Sequence, residues 1–491
     1  MQRAPEKPLV AIACGGTGGH LFPGLAVAAE LQRRDCDVLL LVSPKEVDQQ
    51  AVRAARDVQV ATLPAVALQG NPFAFARASL ASYRAAKKLF AARPPQAVLA
   101  MGGFTSAPPV LAGKKFGAKA FLHESNTIPG RANRWLAHFA DEAFVGFPQA
   151  AHRLWIQRHA VTGTPVREQF SSSTFQCRDS ASPSHERATP EEDLATLECR
   201  ATSCRMALGL DPQRPTLVIT GGSQGATGLN DLVLAALPEL TARHPDLHFL
   251  HLTGANDVDK ARAAYTALGS SRREEALTKS SIQHPASSIR FLVQPFLTEM
   301  ELALGAATLV VSRAGASSLA ELAAMRVPAI LVPLPTSADD HQAHNARAFA
   351  DTGAARVLNQ RTTSPAQFAT LVSDLLTNAA ARAQMQAALT QWHQPAAAAD
   401  IAERILRTCG LPVSVTDLAE AEWQPPARFA KRKGSAGAPP AAFRALAESS
   451  GAPACRDGSD FRTPSESTSG ALVDSARGGR APQTLLVEAA P

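Results

Sequence analysis

Short apolar runs alternate along the chain with longer stretches of helical character. Runs bounded by turn residues predict β-strands, and the stretches between them, such as Leu25–Arg33 and Phe73–Ala92, leave room for crossover helices. Repeated strand–helix alternation is typical of parallel sheets, so the pattern predicts two α/β domains. Strands are expected in the first half at PLVAIAC, DVLLLV, VQVATL, QAVLAM, KAFLH and EAFVG, and in the second half at PTLVITG, LHFLHLTG, SIRFLVQ, TLVVS, VPAILVP and AARVL.

Two segments interrupt this alternation. Ser171–Arg205 is rich in Ser, Thr and charge with little periodic apolar content, which is typical of a mobile linker insertion. The segment from about Leu411 onward contains PP pairs, KRKGSAGAPP and SESTSGA, which indicate a disordered tail. We therefore expect a first lobe, an interlobe linker with the insertion, a second lobe, a C-terminal helix that packs back on the first lobe, and the tail, at residues 1–163, 164–205, 206–392, 393–410 and 411–491.

Composition excludes several classes of protein. The 491 residues are 45% hydrophobic and 19% charged, as in soluble globular enzymes. The longest uncharged run, Val98–Gly113, is broken by glycine and proline, and the N-terminus resembles no signal peptide. Seven cysteines without a CxxC pair favour a reducing cytoplasm over a disulfide framework. A net charge of +6 is too small to indicate nucleic acid, but it fits a basic patch facing acidic headgroups or a diphosphate.

Each predicted domain carries a glycine-rich turn directly after a strand, CGGTGGH at Cys14–His20 and GGSQG at Gly221–Gly225. Glycines let the backbone approach a ligand and leave helix-start N–H groups facing an anion, although sharp strand-to-helix turns also use them for geometry alone. Neither loop matches GxGxxG with a following acidic residue or GxxxxGK[ST], which disfavours dinucleotide oxidoreductases and P-loop NTPases. Two loops at equivalent positions favour a ligand in the cleft between the domains.

A third loop, Ser312–Ser318, follows the strand TLVV and opens a helix. Its small residues expose the helix start, whose dipole favours an anion, and Arg313 can add a charge-assisted hydrogen bond. Glu321 lies one turn into the helix, where it can accept from ribose hydroxyls; the alternative is a solvated helix carboxylate. The loop predicts a nucleoside diphosphate site in the second lobe.

Seven motifs together resemble the MurG family of glycosyltransferases: GGTGGHLFPGLAVA, MGGFTSAPP, HESNTIPGRANRWLA, GTPVR, GGSQGA, SRAGASSLAE and DDHQAHNA. The resemblance covers roughly residues 8–168 and 206–408. It implies two Rossmann-like lobes facing across a cleft (GT-B, glycosyltransferase family 28). It implies an inverting transfer of GlcNAc from UDP-GlcNAc to the 4-hydroxyl of undecaprenyl-diphospho-MurNAc-pentapeptide (lipid I), giving lipid II for peptidoglycan, with no cofactor. It also implies a peripheral enzyme on the cytoplasmic face of the cell membrane, in contact with cell-wall synthesis and division proteins.

The same resemblance implies roles for single residues. His20 is the expected base for the attacking hydroxyl, since a neutral imidazole suits that task near pH 7, and Glu124 is the alternative base. Ser125 and Thr164 depart from the family's more common Gln and Asn. Leu297 is expected beside the uracil, Glu321 at the ribose and Gln342 at the sugar hydroxyls. The full set expected to bind UDP-GlcNAc is Thr17, Gly18, Gly19, Asn126, Arg167, Ser223, Leu297, Arg313, Ala316, Ser317, Ser318, Leu319, Ala320, Glu321 and Gln342.

No metal is expected. Asp35-Cys36-Asp37 and Asp257-Val258-Asp259 resemble the DxD of metal-dependent glycosyltransferases, but a turn and a helix cap explain them better. His341 and His344 have no third ligand nearby in sequence.

The stretch from Phe73 to Phe90 predicts a membrane-facing helix. On a helix its apolar residues form a stripe edged by cations, which suits an anionic lipid surface together with the Lys114-Lys115-Phe116 corner. Ordinary core packing with a solvated basic edge is the alternative. The stripe comprises Phe73, Ala76, Leu80, Tyr83 and Phe90, and its basic edge comprises Arg77, Arg84, Lys87 and Lys88.

Two other functions remain open on the sequence. One is another GT-B sugar-nucleotide enzyme, either a glycolipid glycosyltransferase or a UDP-GlcNAc 2-epimerase. The other is a sugar-nucleotide-binding protein without catalytic activity.

Overall fold

A computed structural model describes residues 6–15, 18–45, 58–64, 72–103, 105–170, 190–222, 225–278 and 291–413. Thr17, Ser223, most of the predicted linker insertion and the predicted tail from residue 414 lie outside these ranges. Within the ranges, no helix combines the length and the hydropathy that a membrane crossing requires.

The first lobe is built on a parallel sheet that has seven strands within the described residues, in the order β3-β2-β1-β4-β5-β6-β7. Its central strands are buried on both faces, which is why they appear in the sequence as continuous apolar runs. The elements are β1 (Leu9–Ala13), α1 (Gly18–Arg33), β2 (Asp37–Val42), β3 (Gln59–Thr62), α2 (Pro72–Ala92), β4 (Ala97–Ala100), α3 (Ala107–Lys115), β5 (Lys119–Glu124), α4 (Arg131–Leu136), β6 (Glu142–Val145), α5 (Pro148–Ala151) and β7 (His159–Val161).

The second lobe repeats the design with a parallel sheet that has six strands in the described chain, in the order β10-β9-β8-β11-β12-β13. A 3-10 turn at Glu168–Phe170 and helix α6 (Pro190–Ala207) precede it. The predicted α/β fold with two parallel-sheet lobes is confirmed. The elements are β8 (Thr216–Thr220), α7 (Thr227–Arg243), β9 (His248–Leu252), α8 (Val258–Thr278), β10 (Phe291–Gln294), α9 (Met300–Ala306), β11 (Leu309–Ser312), α10 (Ala316–Met325), β12 (Ala329–Leu331), α11 (His341–Asp351), β13 (Arg356–Val357), α12 (Pro365–Thr377), α13 (Ala379–Leu389) and α14 (Ala397–Thr408).

The last helix, α14, packs on the first lobe. Ile401 and Ile405 are buried in the same hydrophobic cluster as Val10 and Ile12 of β1. An ion pair of 2.9 Å between Arg404 Nη1 and Glu142 Oε1 adds a polar contact to this packing. The chain therefore returns from the second lobe to the first.

The interpretation of Ser171–Arg205 as a mobile linker insertion is wrong for its C-terminal part, which is helical. This part belongs to α6, and Arg200 is buried there while its guanidinium Nη2 donates to the carbonyl of Met325, the last residue of α10. Cys204 is buried against α9. The hydrophobic pattern did not predict this helix, because its apolar residues do not recur on one face and its buried residues are Arg200 and Cys204. Within the described residues Cys14, Cys36, Cys204 and Cys409 are free thiols, whereas Cys199 is disulfide-bonded.

Both sheets place their glycine-rich loops at topological switch points. The Cys14–His20 loop follows β1, and the Gly102-Gly103 pair follows the adjacent strand β4. In the second lobe the loop after β8 lies beside the loop after β11, which carries Arg313 to Gly315. Ligands of open parallel sheets bind outside the strand carboxyl ends at such points, so the fold brings the predicted loops together in pairs.

Candidate active site

His20 lies in the first turn of α1 and packs against the loop after β4. A Cβ built on Gly102 would stand 2.9 Å from His20 Nε2, and one built on Gly103 would stand 3.2 Å from His20 Nδ1. Both glycines have positive φ, 109° and 77°, so a side chain there would be strained as well as crowded. The imidazole is half-buried between this loop and its own helix. Gly18 is buried beside it and Gly19 is half-buried.

Glu124, at the end of β5, is held by four hydrogen bonds. Its Oε1 accepts from the backbone N (2.9 Å) and side-chain Nδ2 (3.0 Å) of Asn126. Its Oε2 accepts from the backbone N of Gly130 and from Asn133 Nδ2, both at 2.9 Å. These four donors match the lone-pair capacity of a carboxylate, and the side chain is buried. The geometry therefore suits Glu124 to orient the Asn126 loop rather than to take up a proton.

His123 is buried behind this carboxylate and carries a defined tautomer. Its Nε2 lies 3.0 Å from the carbonyl of Gly163, which only accepts, so Nε2 carries the proton. Nδ1 then accepts from the Ser125 hydroxyl at 3.2 Å. Burial, together with a smaller contribution from the nearby His20, lowers the pKa of His123 to about 4, although the hydrogen bond to Gly163 acts against that change. His123 is thus neutral near pH 7 and fixes the start of the interlobe connection at Gly163.

Arg167 links the interlobe connection to the second lobe. Its guanidinium lies over two aromatic rings, 4.4 Å from the ring centroid of Phe22 in α1 and 5.1 Å from that of Phe170 in the 3-10 turn. Both are cation–π contacts. Burial raises the pKa of Glu321 to about 7, the charge of Arg167 acts against that rise, and Glu301 adds to it. The structure therefore brings Arg167 into electrostatic range of Glu321.

Helix α10 begins at Ala316 with Gly315 as its N-cap. No side chain caps this end, and the N–H groups of the first turn precede the helical hydrogen bonds, so the start can hold an anion. Ser317, Ser318 and Ala320 are half-buried there, whereas Leu319 packs into the core. Arg313 is turned inward, and its Nη1 donates to the carbonyls of Val332 (3.0 Å) and Pro333 (3.2 Å).

Helix α11 supplies the contacts across to the first lobe. Gln342 Oε1 accepts from the backbone N of Leu334 at 2.9 Å, which holds its amide at the end of β12. Asn345, one turn later, is fully buried and hydrogen-bonds to Asn126 and Thr127 of the first lobe. An ion pair of 2.5 Å between Arg134 and Asp339 closes a second contact between the lobes.

Two expected site residues have side chains that are buried in the second lobe. The Leu297 side chain is 4% exposed and belongs to the second-lobe core, and its place beside the uracil stays a prediction. Phe296, its neighbour, is 41% exposed. Arg313 bonds to main-chain carbonyls rather than facing open space. Thr17 and Ser223 lie outside the described residues.

Sequence reasoning missed Asn133 and Asn345 as members of the site. Asn133 donates to both Glu124 and the carbonyl of His123, and Asn345 links the lobes. Both lie inside quoted motifs, HESNTIPGRANRWLA and DDHQAHNA. Motif membership was the available signal, but their hydrogen-bond partners appear only in three dimensions.

No group of three potential metal ligands occurs among the described residues. Asp35 has positive φ and pairs with Lys7 at 2.7 Å, which is turn chemistry. Asp257 accepts from Asn230 Nδ2 at 2.8 Å, and His341 Nδ1 lies 2.7 Å from the carbonyl of Ala338. Each pattern therefore has a structural explanation.

The predicted membrane stripe on α2 is wrong in its C-terminal half, where Phe90 is buried in the core and Tyr83 is partly buried against it. The N-terminal half is exposed, with Phe73 at 84% and Leu80 at 48%. The core needs apolar residues from one face of α2, which is why the spacing alone could not separate the two surfaces. The cations expected along its edge are exposed: Arg77, Arg84, Lys87 and Lys88.

Two parallel-sheet lobes, with paired glycine loops and an uncapped helix start between them, define a two-lobed sugar-nucleotide enzyme. Comparison with known protein families identifies the family within this class. The glycosyltransferase family 28 N-terminal domain matches residues 10–145, and the glycosyltransferase family 28 C-terminal domain matches residues 216–405. The chain belongs to glycosyltransferase family 28, and the resemblance stated from the motifs is confirmed.

Individual relatives agree with this membership. The UDP-N-acetylglucosamine--N-acetylmuramyl-(pentapeptide) pyrophosphoryl-undecaprenol N-acetylglucosamine transferase of Parasynechococcus marenigrum (strain WH8102) is 37% identical over 352 residues, 71% of this chain and 82% of the relative. A protein of the same description from Xanthomonas campestris pv. campestris (strain 8004) is 33% identical over 411 residues, 83% of each chain.

Solved structures share the fold. The crystal structure of Acinetobacter baumannii MurG matches with a TM-score of 0.58 and 25% identity, over 82% of this chain and 100% of that chain. The S. aureus MnaA–UDP structure matches with a TM-score of 0.56 at 13% identity, over 83% of this chain and 98% of that chain. At that identity the second match shows the two-lobed fold alone.

Proposed function

We propose that this chain transfers GlcNAc from UDP-GlcNAc to the 4-hydroxyl of undecaprenyl-diphospho-MurNAc-pentapeptide, with inversion, to give lipid II. The observation that carries the proposal is the gathering of His20, Asn126, Arg167 and Glu321 from distant parts of the chain to the facing edges of both lobes. The relatives that carry the transferase description match across both lobes rather than one. The epimerase alternative finds support only in the shared fold.

His20 is the base in this proposal. The imidazole takes the proton as the acceptor 4-hydroxyl oxygen forms its bond to the sugar C1, while the bond from C1 to the UDP oxygen breaks. Glu124 is the less suitable candidate because four donors already engage its two oxygens. Its role is to hold Asn126 in place for the donor sugar.

The departing UDP gains charge, and the start of α10 is the group that stabilises it. The N–H groups of Ala316, Ser317 and Ser318 precede the first helical bonds and form a fixed positive end. Arg313 supports this site indirectly by tying the loop before α10 to the end of β12. Arg167 and Glu321 complete the donor site, with Glu321 accepting from the ribose hydroxyls. Gln342, whose Oε1 already accepts from the backbone N of Leu334, donates through Nε2 to the oxygens of the sugar hydroxyls.

The first lobe docks on an anionic membrane surface in this proposal, because the acceptor's polyprenyl chain must stay in the bilayer. Exposed Phe73 and Leu80 on α2 and the exposed pair Trp135 and Phe139, with ring centroids 4.8 Å apart, supply apolar contact. Lys114 Nζ donates to the carbonyl of Phe139 at 2.7 Å, so the basic corner of α3 adjoins that pair. Contact with cell-wall synthesis and division proteins stays a prediction.

The experiment that tests the function is UDP release by the full chain, measured with UDP-GlcNAc in the presence and absence of the lipid-linked acceptor. Release that depends on the acceptor, together with a disaccharide product, is expected. Conversion of UDP-GlcNAc to its 2-epimer without release would favour the epimerase alternative. Binding of UDP-GlcNAc with neither reaction would leave a non-catalytic sugar-nucleotide-binding protein.

A further inference from the structure

Asn345 of the second lobe makes four hydrogen bonds that join three separate segments. Its Oδ1 accepts from the backbone N and the hydroxyl of Thr127, both at 2.9 Å. Its Nδ2 donates to Asn126 Oδ1 at 3.0 Å and to the carbonyl of Ala314 at 3.2 Å. Asn126 and Thr127 belong to the loop after β5 of the first lobe, whereas Ala314 belongs to the loop that opens α10.

This amide has no spare capacity and one possible orientation. A primary amide offers two lone pairs and two N–H groups, and all four are used here. The Thr127 N–H only donates and the Ala314 carbonyl only accepts, so the oxygen and nitrogen of the side chain cannot be exchanged. Because the residue is fully buried, water cannot replace a lost partner without reorganisation of the contact.

The four bonds continue into the candidate site on both sides. Asn126 Nδ2 donates to Glu124 Oε1, so a chain of hydrogen bonds runs from Glu124 through Asn126 and Asn345 to Ala314. Ala314 immediately precedes Gly315, the N-cap of α10. One side chain thus fixes the position of the first-lobe loop relative to the helix start of the second lobe.

We propose that Asn345 is a positioning residue for the transfer reaction: it couples the sugar-binding loop of the first lobe to the diphosphate-binding helix start of the second. The inference rests on the proposed function, in which Asn126 meets the donor sugar and α10 meets the diphosphate. UDP without the sugar is held by second-lobe groups such as Glu321. Loss of Asn345 therefore weakens binding of UDP-GlcNAc more than binding of UDP.

Three variants separate the accepting half of the contact, which is Oδ1 with Thr127, from the donating half, which is Nδ2 with Asn126 and Ala314. Asn345→Asp keeps an acceptor for Thr127 but turns a carboxylate oxygen toward the Asn126 and Ala314 oxygens, so the donating half becomes repulsive. Asn345→Ala removes both halves. Thr127→Val removes one hydroxyl only. Arg347→Ala, an exposed position on the same helix, is the matched control.

Steady-state kinetics of UDP release and calorimetric binding of UDP alone form the first test, on the full chain. We expect the KM for UDP-GlcNAc to rise about 10- to 100-fold in Asn345→Asp and Asn345→Ala, the range for leaving buried groups unpaired. The UDP Kd should change by less than about 3-fold, and the control should match the parent. An unchanged KM, or a parallel loss of UDP affinity, overturns the proposal.

Hydrogen exchange of the Thr127 amide is the second readout and needs no turnover. Exchange should accelerate in Asn345→Ala and stay protected in Asn345→Asp, which keeps the acceptor; equal exchange in parent and Asn345→Ala overturns the coupling. If Asn345→Ala does not fold, Thr127→Val carries the test, with a KM rise of about 3- to 10-fold expected. A parent chain that shows no turnover defeats the proposed function, and the exchange result still decides whether the coupling exists.

Discussion

The half-buried carboxyl of Glu321 is expected to make this protein less stable as the pH rises toward neutrality. Burial raises its pKa to about 7 from an ordinary 4.5. Between these values the folded chain holds a proton that the unfolded chain has released, so the free energy of unfolding falls as pH rises through this window. Glu321→Gln cannot ionise, and we expect it to lose this dependence.

The magnitude follows from the same two values. The rise of the pKa from 4.5 to about 7 can change the free energy of unfolding by at most about 3.4 kcal/mol between low and high pH. Because the side chain is partly accessible to solvent, we expect a change of about 1–2 kcal/mol. Glu321→Gln should therefore be about as stable as the parent near pH 5 and more stable by that amount near pH 8. Arg167 limits the size of the effect because its charge favours the ionised carboxylate.

Urea unfolding of the ligand-free chain at pH 5, 6, 7 and 8 measures this difference, with Asp351→Asn, an exposed carboxylate on α11, as the matched control. The stability gap between Glu321→Gln and the parent should widen with pH, while the control stays parallel to the parent. If the free energy of unfolding of Glu321→Gln and that of the parent differ by the same amount at every pH, the assignment of a raised pKa to Glu321 is refuted.

Three further predictions test other parts of the molecule. His20→Ala should lower kcat about 10²–10⁴-fold with UDP affinity unchanged, measured by UDP release at saturating substrates; a variant that keeps more than about a tenth of the activity would remove His20 as the base. Arg200→Ala should lower stability by about 1–3 kcal/mol, since it leaves the Met325 carbonyl unpaired in the core; unchanged thermal unfolding would contradict this. Changing the three exposed cations Arg84, Lys87 and Lys88 of α2 to Glu should abolish co-sedimentation with anionic vesicles, because each basic residue contributes about 1 kcal/mol to membrane binding. The control Arg356→Glu, on the second lobe, should still co-sediment.

The fold was largely predictable because burial dictates the composition of parallel strands. The twelve apolar runs all correspond to strands, including the short β12 and β13. The thirteenth strand, β7, was missed: it has three residues, begins with an exposed histidine and lies at the sheet edge, where half of its surroundings are solvent. A strand of three residues with two exposed positions carries little apolar signal, so in the first lobe the pattern of hydrophobic positions ends one strand before the sheet does.

The site was less predictable because its hydrogen bonds run between residues far apart in sequence. Motif spacing indicated His20, Asn126 and Glu321 as candidates, since each follows a strand or lies near the start of a helix. It gave no means to see that Glu124 already has four donors or that Arg313 donates to the carbonyls of Val332 and Pro333, the two residues after β12. Such partners depend on how loops from different strands meet, which local propensity does not encode.

Helix α10 joins these observations, because it is fixed at both ends by residues outside it. At its start, Asn345 holds the Ala314 carbonyl and thereby connects the helix to the first lobe. At its end, Arg200 of α6 donates to the Met325 carbonyl, where a cation also complements the helix dipole. An anion site works without reorganisation only if its donors are already in place. The two contacts therefore have different consequences. The contact at Met325 supports the helix within the second lobe, whereas the contact at Ala314 fixes the start of that helix relative to the Asn126–Thr127 loop of the first lobe.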